Sequence, residues 1–577
     1  MIEYRIVVSD PHKHLVDVTL EADVEGPVDL VLPAWIPGSY KIRDFAQHIQ
    51  EFHAVGPWEK LDKNTWRVRC PSGRLRAGWR AYCHELTVRT SHVDDEHAHI
   101  NPANILMFID GRKDEPCRLQ VRAPRGWKVA CSLDPDGPGR FRAPDYDVLI
   151  DAPVECGEFE EFSFKVRGKT HRFLWHGDSN LDVARLRKEL PKIVQAECAL
   201  MKVVPYERYI FFTHFTDDGK GGGLEHLNST SLAFPRFGFR PNDRHERFLS
   251  LCAHEFFHLW NVKRIRPQAL GPFEYGKENY TRLLWAMEGV TSYYDEHVLL
   301  RAGLLKAGGY LKKLGEKIER FLETPGRRVQ SLAESSFDAW IKYYNPGEHS
   351  PNATISYYEK GLLVSMLLDL EIRRRSRGRR SLDNVLRQLW REYAAKGIGF
   401  PEGRYEKICE EVAGASLRGF FDKYVRGTDE LSFDRYLGAA GLRLAQKEPK
   451  DGEPGRKPWC GLRTERKDGK TMVASVLADS PAHAAGINAG DELLALAGHR
   501  VDHETFEKRL EERRIGETVD LAVFRGSRLK RYRMKVGARR TGGVRIARVP
   551  APTAEQKAVY RSWMGEAWDA GTSESRG

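Results

Sequence analysis

From residue 1 to about 168 apolar and polar residues alternate in short runs, EYRIVV, LVDVTLEADV and VDLVLP among them, separated by Pro, Gly and Asp turns. A period of two belongs to a strand with one buried face, so this stretch predicts a mainly β domain. Near 180 the period changes. LDVARLRKELPKIVQAECALMKV, RHERFLSLCAHEFFHLWNVK, YTRLLWAMEGVTSYYDEHVLLRAG, YLKKLGEKIERFLET and YYEKGLLVSMLLDLEIRRRS repeat apolar residues three and four apart, which predicts helices; YERYIFFTHF reads as a strand between the first two. A Pro/Gly-containing polar stretch, QKEPKDGEPGRKP, then reads as a linker. The expectation is a multidomain α+β chain: a β domain over 1–168, a mostly helical domain over 169–445, a linker over 446–458, a small β-rich domain over 459–540 and a polar tail over 541–577.

At 577 residues, 41% hydrophobic and 30% charged, the composition is that of an ordinary globular protein and excludes a disordered or fibrous one. No window reaches the roughly 18 apolar residues of a membrane span, and no apolar run follows a basic start, so a cytoplasmic location is expected. Nine scattered cysteines without a C-x-x-C pair predict reduced, packed thiols. The net charge of +11 is most concentrated in RRRSRGRR, Arg373 to Arg380. That run follows a helical pattern and predicts a solvated helix end whose cations suit the C-terminal dipole. No nucleic-acid motif accompanies it, so no nucleic-acid partner is expected.

LCAHEFFHLW sets His254 and His258 four apart with Glu255 directly after the first. On a helix, such positions lie about 40° apart around the axis and one turn along it, so both imidazoles can address one point. This is the H-E-x-x-H arrangement, in which the histidines hold Zn²⁺ and the glutamate accepts a proton. With 20 histidines in the chain, chance yields on the order of 0.05 such matches, so the motif outweighs two structural histidines. A catalytic zinc needs a third protein ligand and one open position. Glu288, alone in the apolar stretch LLWAMEGV, is the candidate, since a lone buried carboxylate is costly unless paired or metal-bound. Glu274, Glu278, Asp295 and Glu296 compete by spacing but stand in polar or loop-like surroundings. One Zn²⁺ per chain is expected.

HEFFHLWNVKRIRP (254 to 267), GGLEH (222 to 226) and LWAMEGVTSYYDE resemble the glycyl aminopeptidase family, family sixty-one of the metallopeptidases, within the thermolysin-like gluzincins; LPAWIPGSYKIRDFAQHI (32 to 49) is similar to that family's N-terminal β domain. The resemblance covers nearly the whole chain and implies a thermolysin-like fold for the middle block. It implies that Glu225 binds the free α-amine of a peptide, with Gly222 and Gly223 letting the peptide lie against the backbone, and that Tyr358 of Tyr358-Glu359-Lys360-Gly361 donates to the oxyanion; Tyr357 is its rival. Peptides with a free N-terminus and a small first residue, Gly or Ala, are the implied substrates. The family's thermolysin-like relatives place an aspartate four residues after the glutamate ligand, and position 292 here is serine.

GLRT, TMVASVLADSPAHAAGINAGDELLALAGHRV and HETFEKRLEERR resemble a PDZ domain. Gly461 and Leu462 then belong to the loop that receives a peptide carboxylate, so either a protein C-terminus binds there or the module packs on the catalytic domain. Two alternatives stand beside the aminopeptidase: a zinc endopeptidase, and an inactive peptidase fold serving as a PDZ scaffold.

Overall fold

The computed structural model describes residues 1–217, 219, 221–446, 456–540 and 543–569. The chain forms two compact units. One comprises Met1–Leu283, Val290–Leu305 and Leu382–Ile408; the other comprises Leu284–Gly289, Lys306–Ser381 and Cys409–Gly577.

The first unit opens with a seven-stranded sheet built around Ile2–Val7, Leu15–Asp23 and Arg74–Tyr82. In Leu15–Asp23 the residues Val16, Val18, Leu20 and Ala22 point inward, the alternation visible in the sequence. A four-stranded sheet contains the hairpin His92–Val93/His97–Ile100 and, beside it, Val154–Gly157. A five-stranded sheet follows in the order Glu160–Val166, Lys169–His176, Arg208–Thr216, Ser229–Pro235, Gly222–Glu225. Arg208–Thr216 is central and parallel to both neighbours. It is buried on both faces, which is why YIFF reads as a continuous apolar run rather than an alternating one.

The boundary expected at 168 needs correction. It falls in the turn between Glu160–Val166 and Lys169–His176, which pair along their length, so the second sheet begins at 160. The helices Val183–Met201 and Asn242–Phe257 pack on one another, and the latter also lies against the strands Ser229–Pro235 and Gly222–Glu225.

In the second unit, the helix Glu359–Arg375 is buried at nearly every position from Lys360 to Arg373. Gly289 and Gly361 meet there main chain to main chain: a β-carbon at Gly289 would lie 2.5 Å from the Gly361 Cα. The basic run is only partly a solvated end, because Arg373 is buried, donates to Asp369 (2.9 Å) and reaches the Ser562 hydroxyl (2.6 Å). Arg374 and Arg375 both pair with Glu371.

The small C-terminal domain is a sheet in the order Leu462–Lys467, Lys470–Val476, Glu492–Leu496, Thr518–Arg525, Arg528–Lys535. Two further strand pairs close its base: Arg456–Trp459 with Gly537–Arg540, and Leu442–Gln446 with Val544–Arg548. The chain therefore enters and leaves this domain through paired strands. Of the linker expected over 446–458, residues 447–455 lie outside the described residues. The tail expected from 541 is corrected over 544–569. Val544–Arg548 is a strand, and Ala554–Met564 is a helix opened by a Thr553/Gln556 capping box, with Val559, Tyr560, Trp563 and Met564 buried. Four apolar residues at helical spacing carry that helix into the core, although the segment's mean polarity masked them.

Candidate metal centre and active site

His254 lies in the last turn of the helix Asn242–Phe257, and His258 caps its end in helical conformation. One helical turn brings their Nε2 atoms to 3.1 Å. Two donors on one tetrahedral zinc stand roughly 3.3 Å apart, given metal–nitrogen bonds of about 2.0–2.1 Å. The spacing fits. His258 Nδ1 donates to the Asn261 carbonyl at 2.7 Å, which fixes the tautomer and leaves the Nε2 lone pair for a metal.

Glu288 occupies a π-turn, Trp285–Gly289, that runs directly into the helix Val290–Arg301. Its carboxylate is buried. Two imidazoles and a carboxylate form the donor set that suits Zn²⁺.

The residues that orient this set were missed in the sequence. Asp295 Oδ2 stands 3.6 Å from His254 Nδ1, and Thr291 Oγ1, which accepts from Asn261 Nδ2 at 3.1 Å, stands 3.5 Å from His258 Nδ1. Asp295 was expected to be solvated in polar surroundings; instead it lies on the helix Val290–Arg301, one turn beyond Thr291 and on the same face. Its distance of seven from Glu288, rather than four, concealed it. Behind it sits Glu197, fully buried and without a hydrogen-bond partner for either oxygen among the described residues. Burial pushes its carboxyl well above the usual range; His254 opposes the rise and Asp295 adds to it.

Glu255 is buried next to the strand Gly222–Glu225, the edge of its sheet. A β-carbon at Gly223 would lie 2.2 Å from the Glu255 carboxyl carbon, so glycine there makes room for Glu255. This sharpens the expectation for Gly223. Gly222 has φ +150°, with open space where a side chain would start. Glu225 is 4% exposed, and its Oε1 has no hydrogen-bond partner among the described residues. A β-carbon at Gly38, from the N-terminal β domain, would come within 2.7 Å of both its oxygens. Glu225, Glu255 and His258 offer atoms within 4.8 Å of one another. The strand's end is clamped by Asp151, which accepts from Leu227 N and Lys263 Nζ (both 2.7 Å) and lies 3.1 Å from His226 Nδ1.

In the second unit Tyr343, Tyr344, Tyr357 and Tyr358 form one aromatic cluster. Burial raises the hydroxyls of Tyr357 and Tyr358 well above the ordinary tyrosine value, with Tyr344 and then Glu288 adding to it at Tyr357 and Glu288 and then Tyr344 at Tyr358, so both are protonated donors. Tyr357 is fully buried; Tyr358 is partly exposed, with its hydroxyl 3.4 Å from that of Tyr344.

Gly461, at φ +81°, packs so tightly on Ser480 that a β-carbon would lie 2.2 Å from it, which locks the turn into Leu462–Lys467. Among the described residues that strand has one neighbour and one open edge. Asn352 also ties the domain down, donating to the Val476 carbonyl (2.7 Å) and accepting from Ala478 N (2.8 Å).

Fold and site together define a zinc metallopeptidase of the H-E-x-x-H type, with an N-terminal β domain and a C-terminal PDZ domain. The sequence matches the peptidase M61 N-terminal domain over residues 3–158, M61 glycyl aminopeptidase over 247–364 and a PDZ domain over 458–536. A solved structure described as an aminopeptidase N family protein from Idiomarina loihiensis is 30% identical, covering 98% of this chain and 100% of that one with a TM-score of 0.90. The chain belongs to the M61 glycyl aminopeptidase family. An M1 zinc metallopeptidase from Deinococcus radiodurans is 13% identical over 74% of this chain and 94% of that one, with a TM-score of 0.49. No curated protein matches the sequence.

Proposed function

We propose that the protein is an aminopeptidase that removes small N-terminal residues, Gly and Ala, from peptides. His254, His258 and Glu288 would hold one Zn²⁺, which when bound supplies Lewis acidity and a water of lowered pKa. Glu255 accepts a proton at its carboxylate and returns it to the departing amine. Tyr358 donates from its hydroxyl to the oxygen that becomes anionic. The substrate lies along the open edge of Gly222–Glu225, extending the sheet by one strand.

The observation that carries the reading is the buried Glu225 Oε1 without a hydrogen-bond partner among the described residues, close to Glu255. An unpaired buried carboxylate is expensive, and a free α-ammonium is the group that relieves it. The same carboxylate would obstruct a chain that continued past it, which separates an aminopeptidase from an endopeptidase. The preference for small residues rests on the family alone. For the PDZ domain, the open edge of Leu462–Lys467 beside Gly461 and Leu462 supports capture of a protein C-terminus. The test is to strip metal with chelator, restore Zn²⁺, and compare Gly-, Ala- and Leu-anilides with an N-acetylated peptide. Fastest turnover on the Gly and Ala substrates is expected. Cleavage of the blocked peptide at a comparable rate defeats the proposal.

A further inference from the structure

The first unit contains a second cluster of ligand-type side chains, well away in sequence from His254 and His258. The stretch HVDDEHAH, residues 92 to 99, forms the hairpin His92–Val93/His97–Ile100. His92, Asp94 and His97 each offer a ligand atom, all within 4.8 Å of one another. His92 Nε2 is 2.8 Å from Asp94 Oδ2. Asp94 is pinned from its other side, since Oδ1 accepts the backbone N–H groups of Glu96 and His97, both at 2.9 Å.

His97 is held as a metal-binding histidine is held. Its Nδ1 lies 2.9 Å from Glu155 Oε1, a buried carboxylate on the adjacent strand, so the nitrogen left to coordinate is Nε2. Glu155 Oε2 is shared by His99 (2.9 Å) and His214 (3.1 Å). The backbone makes room for this arrangement. Gly157 stands opposite His97 in register at φ +145°, and a β-carbon there would meet the His97 Cβ at 2.8 Å. From the five-stranded sheet, His176 stacks on His97 at 3.9 Å between ring centres. Both His92 Nδ1 and His176 Nδ1 are buried without a partner among the described residues, which is costly for polar atoms unless something else binds them.

We propose that His92, Asp94 and His97 bind a second, structural Zn²⁺, with Glu155 orienting His97 and His176 stacked against its ring. A set of two imidazoles and one carboxylate, with a fourth position left for water, is chemistry for zinc rather than for magnesium or calcium. Its ligands come from the hairpin of the β domain, and His176, stacked on His97, belongs to the strand Lys169–His176 of the sheet whose far edge is Gly222–Glu225. By fixing the His97 ring, the metal would stiffen that stacked contact and with it the platform on which Glu225 stands. The alternative, a metal-free hydrogen-bonded network around Glu155, predicts no second equivalent of zinc.

The test counts metal in full-length protein, stripped with chelator and titrated with Zn²⁺, by elemental analysis. Two equivalents are expected in the wild type. One is expected in the His254→Ala/His258→Ala double variant, and none when His92→Gln and His97→Gln are added to it. Asp94→Asn keeps the acceptor for the backbone N–H groups and guards against simple misfolding; in the double-variant background it should weaken Zn²⁺ binding at least 10-fold, with unchanged circular dichroism. A double variant that binds no zinc overturns the proposal, as does one whose equivalent survives His92→Gln and His97→Gln. A wild type and a double variant that each bind one equivalent would leave this site standing and remove the metal from His254 and His258.

Discussion

His254 and His258 owe their convergence to a single helical turn, whereas His92 and His97 owe theirs to a hairpin turn and to Glu155, 58 residues beyond His97. The helical pair leaves nitrogen lone pairs and a nearby Glu255 facing the open sheet edge. The hairpin pair is closed in, with His97 only 2% exposed and its carboxylate neighbour saturated by three imidazoles. The same side-chain chemistry thus supports two tasks. Where ligands are local and one coordination position stays open, a metal can meet a substrate; where they come from several strands, a metal or a charge can only hold strands together.

The largest expected effect lies on the helical side. Glu255→Gln should lower kcat by roughly 10³- to 10⁴-fold while leaving zinc content and thermal midpoint unchanged. A variant with normal turnover would break the contrast between the clusters, and anilide hydrolysis alongside elemental analysis decides it. On the hairpin side the effect should appear in stability. Glu155→Gln removes the one anion shared by three buried imidazoles and should cost about 4 kcal/mol in urea unfolding, the range for breaking a buried ion pair. An unchanged midpoint would show that the hairpin cluster holds nothing together.

A lone buried histidine calibrates both. His171 hydrogen-bonds the Tyr206 hydroxyl at 2.7 Å, and burial pushes its pKa down to about 4. The folded form then releases a proton that the unfolded chain still binds below pH 6.5. Stability from this residue is full above 6.5 and is lost as pH falls toward 4, by about 3 kcal/mol. Urea midpoints of the wild type and His171→Leu, measured from pH 7 to 4.5, should converge by that amount; parallel curves would contradict it. Glu225→Gln should reduce kcat/KM for free-amine peptides roughly 100-fold, the usual loss for one partner of a buried charge pair. Equal losses on an N-acetylated peptide would show that Glu225 does not read the amine. The smallest effect concerns orientation: Asp295→Asn should weaken zinc binding at the helical site by about 10-fold, the lower end for a group that positions a ligand histidine, as followed by chelator competition.

What could be read from the sequence follows the same division. The H-E-x-x-H helix, the lone acid Glu288 in LLWAMEGV and the glycines beside Glu225 are local patterns, and local patterns survive in one dimension. Asp295 was hidden although it sits on the same helix, because the expected spacing was four rather than seven. Glu155, His176 and His214 had no signal at all, since strand pairing and sheet packing unite them with a hairpin up to 122 residues away in sequence. The boundary at 168 failed for a related reason: the alternating pattern continues across two different sheets, and only pairing partners tell them apart. The helix Ala554–Met564 was lost among polar neighbours.

The contact of Gly289 with Gly361 sets a dimension elsewhere. Glu288 precedes the first glycine, and Tyr357 and Tyr358 lie one turn ahead of the second, so the gap from carboxylate to phenols is fixed by two bare backbones instead of by rotamers. A methyl group at either place would act as a shim. Alanine, serine and valine there would open that gap in graded steps without altering Glu288 or either tyrosine.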